Sequence, residues 1–80
     1  MKVVMLKTPW CGICRTVERI YGDRVETVDI IAHPEWLDKT SLTTVPICMS
    51  LDGDIKVDEK PGFMPLPVFD KWVEDANKRT

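Results

Sequence analysis

Between Lys2 and Lys7 the chain carries an unbroken apolar run, Val3-Val4-Met5-Leu6. A run without polar interruption suits a strand buried on both faces, at the centre of a sheet. Thr8-Pro9-Trp10 ends it, and from Cys11-Gly12-Ile13-Cys14 onward the period changes. Ile13, Val17, Ile20 and Tyr21 recur at helical spacing, while Arg15, Thr16, Glu18 and Arg19 fall on the other side. This predicts a helix that stops at Gly22. Val25 to Ile31 is rich in β-branched residues and partly alternating, the pattern of a second strand nearer an edge.

His33-Pro34-Glu35 marks the start of a short second helix reaching Ser41 or Leu42, with Pro34 near its first position and Glu35 complementing the helix dipole. Thr44 to Met49 reads as a third strand whose proline, Pro46, is tolerated near its start. Asp52-Gly53 is a hairpin signal that joins it to a polar edge strand, Asp54 to Asp58. A last helix begins at Pro65 or Pro67 and presents Val68, Phe69, Trp72, Val73 and Ala76 on one side. The order β-α-β-α-β-β-α describes an α/β unit, a four-stranded mixed sheet flanked by helices.

Eighty residues fill one domain, 1–80, and leave no room for a second core. With 44% hydrophobic and 30% charged residues the chain has the apolar material to fold. A net charge of −2 gives no basic footprint for nucleic acid or an anionic membrane surface, so neither is expected as a partner. Apolar runs fall far short of the roughly 20 residues of a membrane span, and Met1-Lys2 leads straight into a strand, so neither leader nor anchor is expected.

Three cysteines is an odd number, and Cys11 and Cys14 are too close together to staple distant parts of a fold. A reducing compartment, the cytoplasm, fits such a chain, with the pair as chemistry and not scaffold. On the first turn of a helix, free backbone N–H groups and the positive dipole end favour thiolate at Cys11, which becomes the nucleophile. Cys14, three residues on and on the same helical side, can attack a mixed disulfide on Cys11. Gly12 and Ile13 keep the turn small and uncharged. The competing reading is half of a zinc site, which needs four ligands and for which only Cys48 and His33 remain; the helix-start context favours redox chemistry.

Other residues take plainer roles. Cys48 reads as a small core residue and His33 as a solvated residue at a helix start. Trp10 either shapes a docking surface beside the nucleophile or fills the core. Lys7 and Arg15 are expected to be solvated, and Trp36 and Trp72 to fill core or interface. Asp52, Asp54, Asp58 and Glu59 form an acidic edge that guards its strand against association.

Trp10-Cys11-Gly12-Ile13-Cys14 resembles the Trp-Cys-Gly-Pro-Cys active site of thioredoxins, and Thr44-Val45-Pro46 resembles the Thr-Val-Pro of glutaredoxins. The sequence thus resembles the thioredoxin superfamily, as a small glutaredoxin-like redoxin, over nearly its whole length. The resemblance implies the thioredoxin fold, a cis Val45-Pro46 bond beside the cysteines, and a role for the Val45 backbone in pairing with an extended substrate segment. Gly62-Phe63-Met64-Pro65 is similar to the corresponding segment of redoxins that reduce ribonucleotide reductase. The chain departs from glutaredoxins in lacking the paired glycines and following acidic residues that hold glutathione, and from thioredoxins in carrying Ile13 for proline and Met5 for a buried aspartate.

The expected function is thiol-disulfide exchange on protein disulfides by a monomer, with Cys11 and Cys14 catalytic and Trp10, Gly12, Ile13, Thr44, Val45, Pro46 and Gly62 contacting the substrate. No metal or bound cofactor is expected. Thioredoxin reductase or glutathione would supply electrons, and ribonucleotide reductase is one target that the resemblance implies. The alternatives are a glutathione-dependent glutaredoxin and a carrier of a [2Fe–2S] cluster held by Cys11 between two chains.

Overall fold

In the computed structural model, which describes residues 1–79, the first strand, β1 (Lys2–Lys7), lies between two neighbours in a four-stranded sheet of order β2-β1-β3-β4. Val3 to Leu6 are all buried, because the strand has hydrogen-bonded partners on both edges and side chains packed over both faces. β2 (Glu26–Asp29) pairs parallel to it, and β3 (Ile47–Asp52) pairs antiparallel. β4 (Ile55–Pro61) closes the hairpin after Gly53, whose φ of 61° is the left-handed conformation that a tight turn asks of glycine. The sheet is mixed, with β2 and β4 on its edges, as the sequence predicts.

Alternation along β1 and β3 divides the interior in two. Val3 and Met5, with Cys48, face the helices α1 (Gly12–Tyr21) and α2 (Leu66–Lys78), and Val17, Tyr21, Met64, Phe69 and Trp72 complete that core. Val4, Leu6, Ile47, Met49 and Leu51 face the other way, under Trp36, Leu42 and Val45. Cys48 therefore lies at the centre of the first core, and burial pushes its thiol up to about 12.

Several boundaries differ from the sequence expectation. The second helix is one 3-10 segment, Pro34–Lys39, and not an α-helix reaching Ser41. It is short, none of its residues is fully buried, and the chain turns extended at Thr40. The third strand starts at Ile47 and not Thr44, since its partner β1 offers Leu6 opposite Ile47 and the chain turns at the cis Val45-Pro46 bond before it. The fourth strand extends beyond Asp58 to Pro61, because β3 supplies a paired residue as far as Ile47. A register shift at Ser50/Leu51 sets Asp58 and Lys56 against consecutive β3 residues, so Val57 is the extra residue of a bulge. The second strand is trimmed to Glu26–Asp29.

The helices also bury narrower stripes than their periodicity suggests. Cys14, Val17 and Tyr21 are the buried residues of α1, while Ile13 and Ile20 are exposed, since the helix lies on the sheet along the 14/17/21 line. In α2, Phe69, Trp72 and Ala76 are buried and Val68 faces solvent. The acidic edge is not merely solvated. Asp58 accepts a 2.8 Å bond from the Trp72 indole N–H; burial alone would raise its pKa, but that bond, the Glu59 N–H and the Arg79 and Lys60 charges together lower it.

Tyr21 holds the chain between β4 and α2. Its hydroxyl donates to the Met64 carbonyl at 3.1 Å and accepts from the Met64 N–H at 2.8 Å, both bonds buried. Its ring lies 4.4 Å from that of Phe69 and 6.0 Å from that of Phe63. Glu59 does the corresponding work on the opposite layer. Its carboxylate accepts from Lys56 Nζ at 2.7 Å, from the Ser41 hydroxyl at 2.9 Å, and from the Ser41 N–H and Thr40 hydroxyl at 3.1 Å. Burial pushes its pKa upward, but these donors outweigh it and hold the carboxyl down at about 2.

Tyr21→Phe should cost about 1–3 kcal/mol, because it leaves the buried Met64 N–H without its hydrogen-bond acceptor; urea unfolding followed by circular dichroism measures the loss. For Glu59 the folded pKa lies below the usual 4.5, so its stabilisation is complete above that pH and fades as acid brings the pH down toward about 2. Glu59→Gln is accordingly expected to lower stability by about 1–2 kcal/mol at neutral pH, with the two proteins converging near the acid end of a titration of unfolding midpoints.

Candidate active site

Lys7 ends β1 opposite Asp29, Ile47 begins β3 opposite Leu6, and Pro61 ends β4 opposite Ile47. The turn from Thr8 to Cys11, the loop that ends at Pro46 and the segment from Pro61 to Phe63 consequently leave the sheet at the same end. Every residue expected from the sequence to catalyse exchange or contact the substrate belongs to one of these three segments or to the first turn of α1.

Cys11 is the N-cap of α1. Its backbone is extended (φ −85°, ψ 102°), and its Sγ accepts a hydrogen bond from the Cys14 N–H at 3.1 Å. The sulfur thus occupies the position that a serine or aspartate oxygen takes at other helix starts, where a partial positive charge favours a thiolate. Cys11 and Cys14 are joined by a disulfide, with Cα atoms 5.2 Å apart. The two sulfurs differ in access: Cys14 is buried, whereas Cys11 is half-exposed. Such a pair is a dithiol/disulfide couple, whose two states differ by two electrons and two protons.

The surroundings of the pair are apolar and open. Trp10 is 72% exposed and Ile13 66%, so Trp10 belongs to the surface and not to the core, and Ile13 leaves the helix stripe in which its spacing had put it. Phe63, 47% exposed, belongs to the third segment at this end. Gly12 has open space where a Cβ would stand. Arg15 donates to the Pro9 carbonyl at 2.9 Å, tying the turn before Cys11 to the helix after it. Lys7 is paired with Glu18, at 3.0 Å, and is not free in solvent; Glu18 also accepts from the Thr27 hydroxyl.

The loop before β3 carries Thr44, exposed, Val45, half-buried, and Pro46, buried, with Val45-Pro46 cis as the resemblance implies. The Pro46 carbonyl accepts from the Gly62 N–H at 2.8 Å, so two residues singled out separately in the sequence are directly bonded. Gly62 has φ 72°, a conformation that a side chain would strain. Thr8, just before the cysteine turn, has a buried hydroxyl that finds no partner among the described residues.

The zinc reading of the sequence finds no gathering of ligands: Cys48 is sealed in the core, and His33 is exposed beside Glu35, its Nδ1 3.5 Å from that carboxylate. Among the described residues no three His, Cys, Asp or Glu side chains lie together as a metal site. No helix of the described residues is long and apolar enough to cross a membrane.

Sequence reasoning missed two contributors to this end of the molecule. Phe63 was passed over for its neighbour Gly62, although an aromatic residue beside a turn glycine was a usable signal. Glu59 was hidden in an acidic run, where nothing in its spacing separates an anchoring carboxylate from a solvated one.

No family model matches the sequence. The structure, however, is similar to thioredoxin 1 from the thermophilic eubacterium Thermosipho africanus TCF52B, at a TM-score of 0.61 and 19% identity over 96% of this chain and 99% of that one. It is also similar to a malarial protein, at a TM-score of 0.65 and 18% identity, covering 92% of this chain and 93% of the other. With its four-stranded mixed sheet, its helices on the two faces and a Cys11–Cys14 disulfide at the first turn of α1, the chain has the thioredoxin fold.

Proposed function

We propose that the chain works as a single redox domain that reduces protein disulfides by thiol-disulfide exchange, with Cys11 as nucleophile and Cys14 as resolving thiol. The observation that carries this reading is the asymmetric pair at the helix start: a half-exposed Cys11 capping the helix, and a buried Cys14 one turn behind it. In the reduced protein the Cys11 thiolate attacks one sulfur of the substrate disulfide and displaces the other as a thiolate. Cys14, losing its proton, then attacks Cys11 Sγ, releases the second substrate sulfur and closes the Cys11–Cys14 disulfide. Two electrons pass to the substrate, which leaves as a dithiol.

Docking falls to the apolar rim and to exposed backbone. Trp10 and Ile13, neighbours of the cysteines in the chain, offer uncharged exposed surface, and Phe63 adds more at the same end of the sheet. Gly12 lets a substrate chain approach closely, and Thr44, Val45, Pro46 and Gly62 supply backbone from the other segments that leave the sheet there. The Val45 backbone pairs with an extended segment of the substrate. Disulfide-containing proteins are the substrates, with ribonucleotide reductase as one target, and the work is done in a reducing compartment such as the cytoplasm. Thioredoxin reductase is favoured over glutathione as electron donor, since Pro61-Gly62-Phe63-Met64-Pro65 stands where glutaredoxins carry the glycine pair and acidic residues that seat glutathione.

The roles of the two thiols separate by substitution. Cys11→Ser should reduce disulfide turnover to background, while Cys14→Ser should accumulate a mixed disulfide with the substrate, visible as an added mass. Turnover by Cys14→Ser at the parent's rate would remove the resolving role.

Labelling gives an independent check. At about pH 8 the reduced, folded protein should react with iodoacetamide at Cys11 fastest and at Cys48 not at all, its thiol being buried and held near 12; denaturant should release the third thiol.

A further inference from the structure

Resting on this redox reading, we propose that Glu59 is the positioning residue of the docking segment: its carboxylate fixes the Thr40–Ser41 turn and thereby sets where Thr44-Val45-Pro46 stands at the end of the sheet that carries Cys11. Glu59 lies on β4 opposite Met49, two residues before Pro61. It reaches across to a loop that has no strand partner of its own. Thr40 donates its hydroxyl to both carboxylate oxygens at 3.1 Å, and Ser41 adds a side-chain and a backbone donor to one of them.

The effect passes along the chain by named contacts. The Thr40 oxygen that donates to Glu59 also accepts from the Leu42 N–H at 3.0 Å, which fixes the direction in which the chain leaves the turn. Leu42 and Val45 then pack on the same core layer, over Ile47 and Met49. At the far end the Gly62 N–H holds the Pro46 carbonyl. The segment between Leu42 and Pro46 is thus suspended from two supports, one made by a strand residue's side chain and the other by backbone. The hydrogen bonds of Cys11, with Thr8, Cys14 and Arg15, involve neither support, so docking and thiol reactivity are separately adjustable.

The pre-reduced protein, mixed in a single turnover with insulin as a protein disulfide and with 5,5′-dithiobis(2-nitrobenzoate) as a small one, distinguishes these contributions. Glu59→Gln keeps the size of the side chain and removes the charge that gathers the donors. Its half-saturating insulin concentration should rise about threefold to tenfold, the weight of one or two hydrogen bonds, with the limiting rate and the reaction with the small disulfide within about twofold of the parent. Thr40→Val removes the shared hydroxyl while leaving Glu59 its Lys56 and Ser41 partners, and should shift the same constant in the same direction even if Glu59→Gln does not fold. Equal losses on both disulfides would make Glu59 a general structural support and overturn the proposal, as would unchanged insulin saturation in both variants. A parent protein that reduces neither disulfide overturns the redox reading itself, whatever the variants do.

Discussion

The covering of β1 on all sides is the constraint to which the rest of the structure is referred. A strand with hydrogen-bonded neighbours on both edges and packed layers over both faces has little freedom to slide, because a shift of one residue would exchange the Val3/Met5 and Val4/Leu6 faces between two differently shaped cores. The point at which the chain leaves this strand is therefore fixed in space. Four residues beyond it the chain reaches Cys11, so the register of an ordinary apolar strand determines the position of that sulfur.

The other segments at that end are tied down by polar groups as well as by apolar burial. Tyr21 uses both capacities of its hydroxyl on the Met64 backbone, Glu59 gathers the Thr40–Ser41 turn, and Gly62 bonds to Pro46. Loops at a functional surface cannot be buried without losing access to partners, and a few directed bonds hold such loops in place while leaving their outer sides open. Trp10, Ile13 and Phe63 are left facing solvent by this arrangement.

The architecture was largely legible in the sequence because periodicity reports burial. The apolar run of β1, the Asp52-Gly53 turn and the polar edge strand each carry a local signal, and the Cys11–Cys14 spacing after a strand carries the site. The misread features depend on partners distant in the chain. Ile13 and Ile20 fit a helical stripe, but the sheet selects Cys14, Val17 and Tyr21. The end of β4 follows from the length of β3, which the residues around Pro61 do not disclose. Glu59 differs from Asp52 or Asp54 through Thr40 and Ser41, eighteen or nineteen residues earlier, and no window along the chain brings these together.

The unequal access to the two sulfurs bears on how partners are scheduled. On the proposed redox cycle, with Cys14 closed off in the protein, a disulfide to be reduced and a donor that restores the dithiol would both make contact through Cys11. Electrons then enter and leave by one doorway, and the two partners exclude each other sterically. The proposed reaction would then divide into alternating half-reactions, in which the protein carries its electron pair away from one complex before forming the next. Such a carrier obeys a ping-pong rate law, and its small apolar rim has to be acceptable to both partners in turn, which limits how closely it can be tailored to either one.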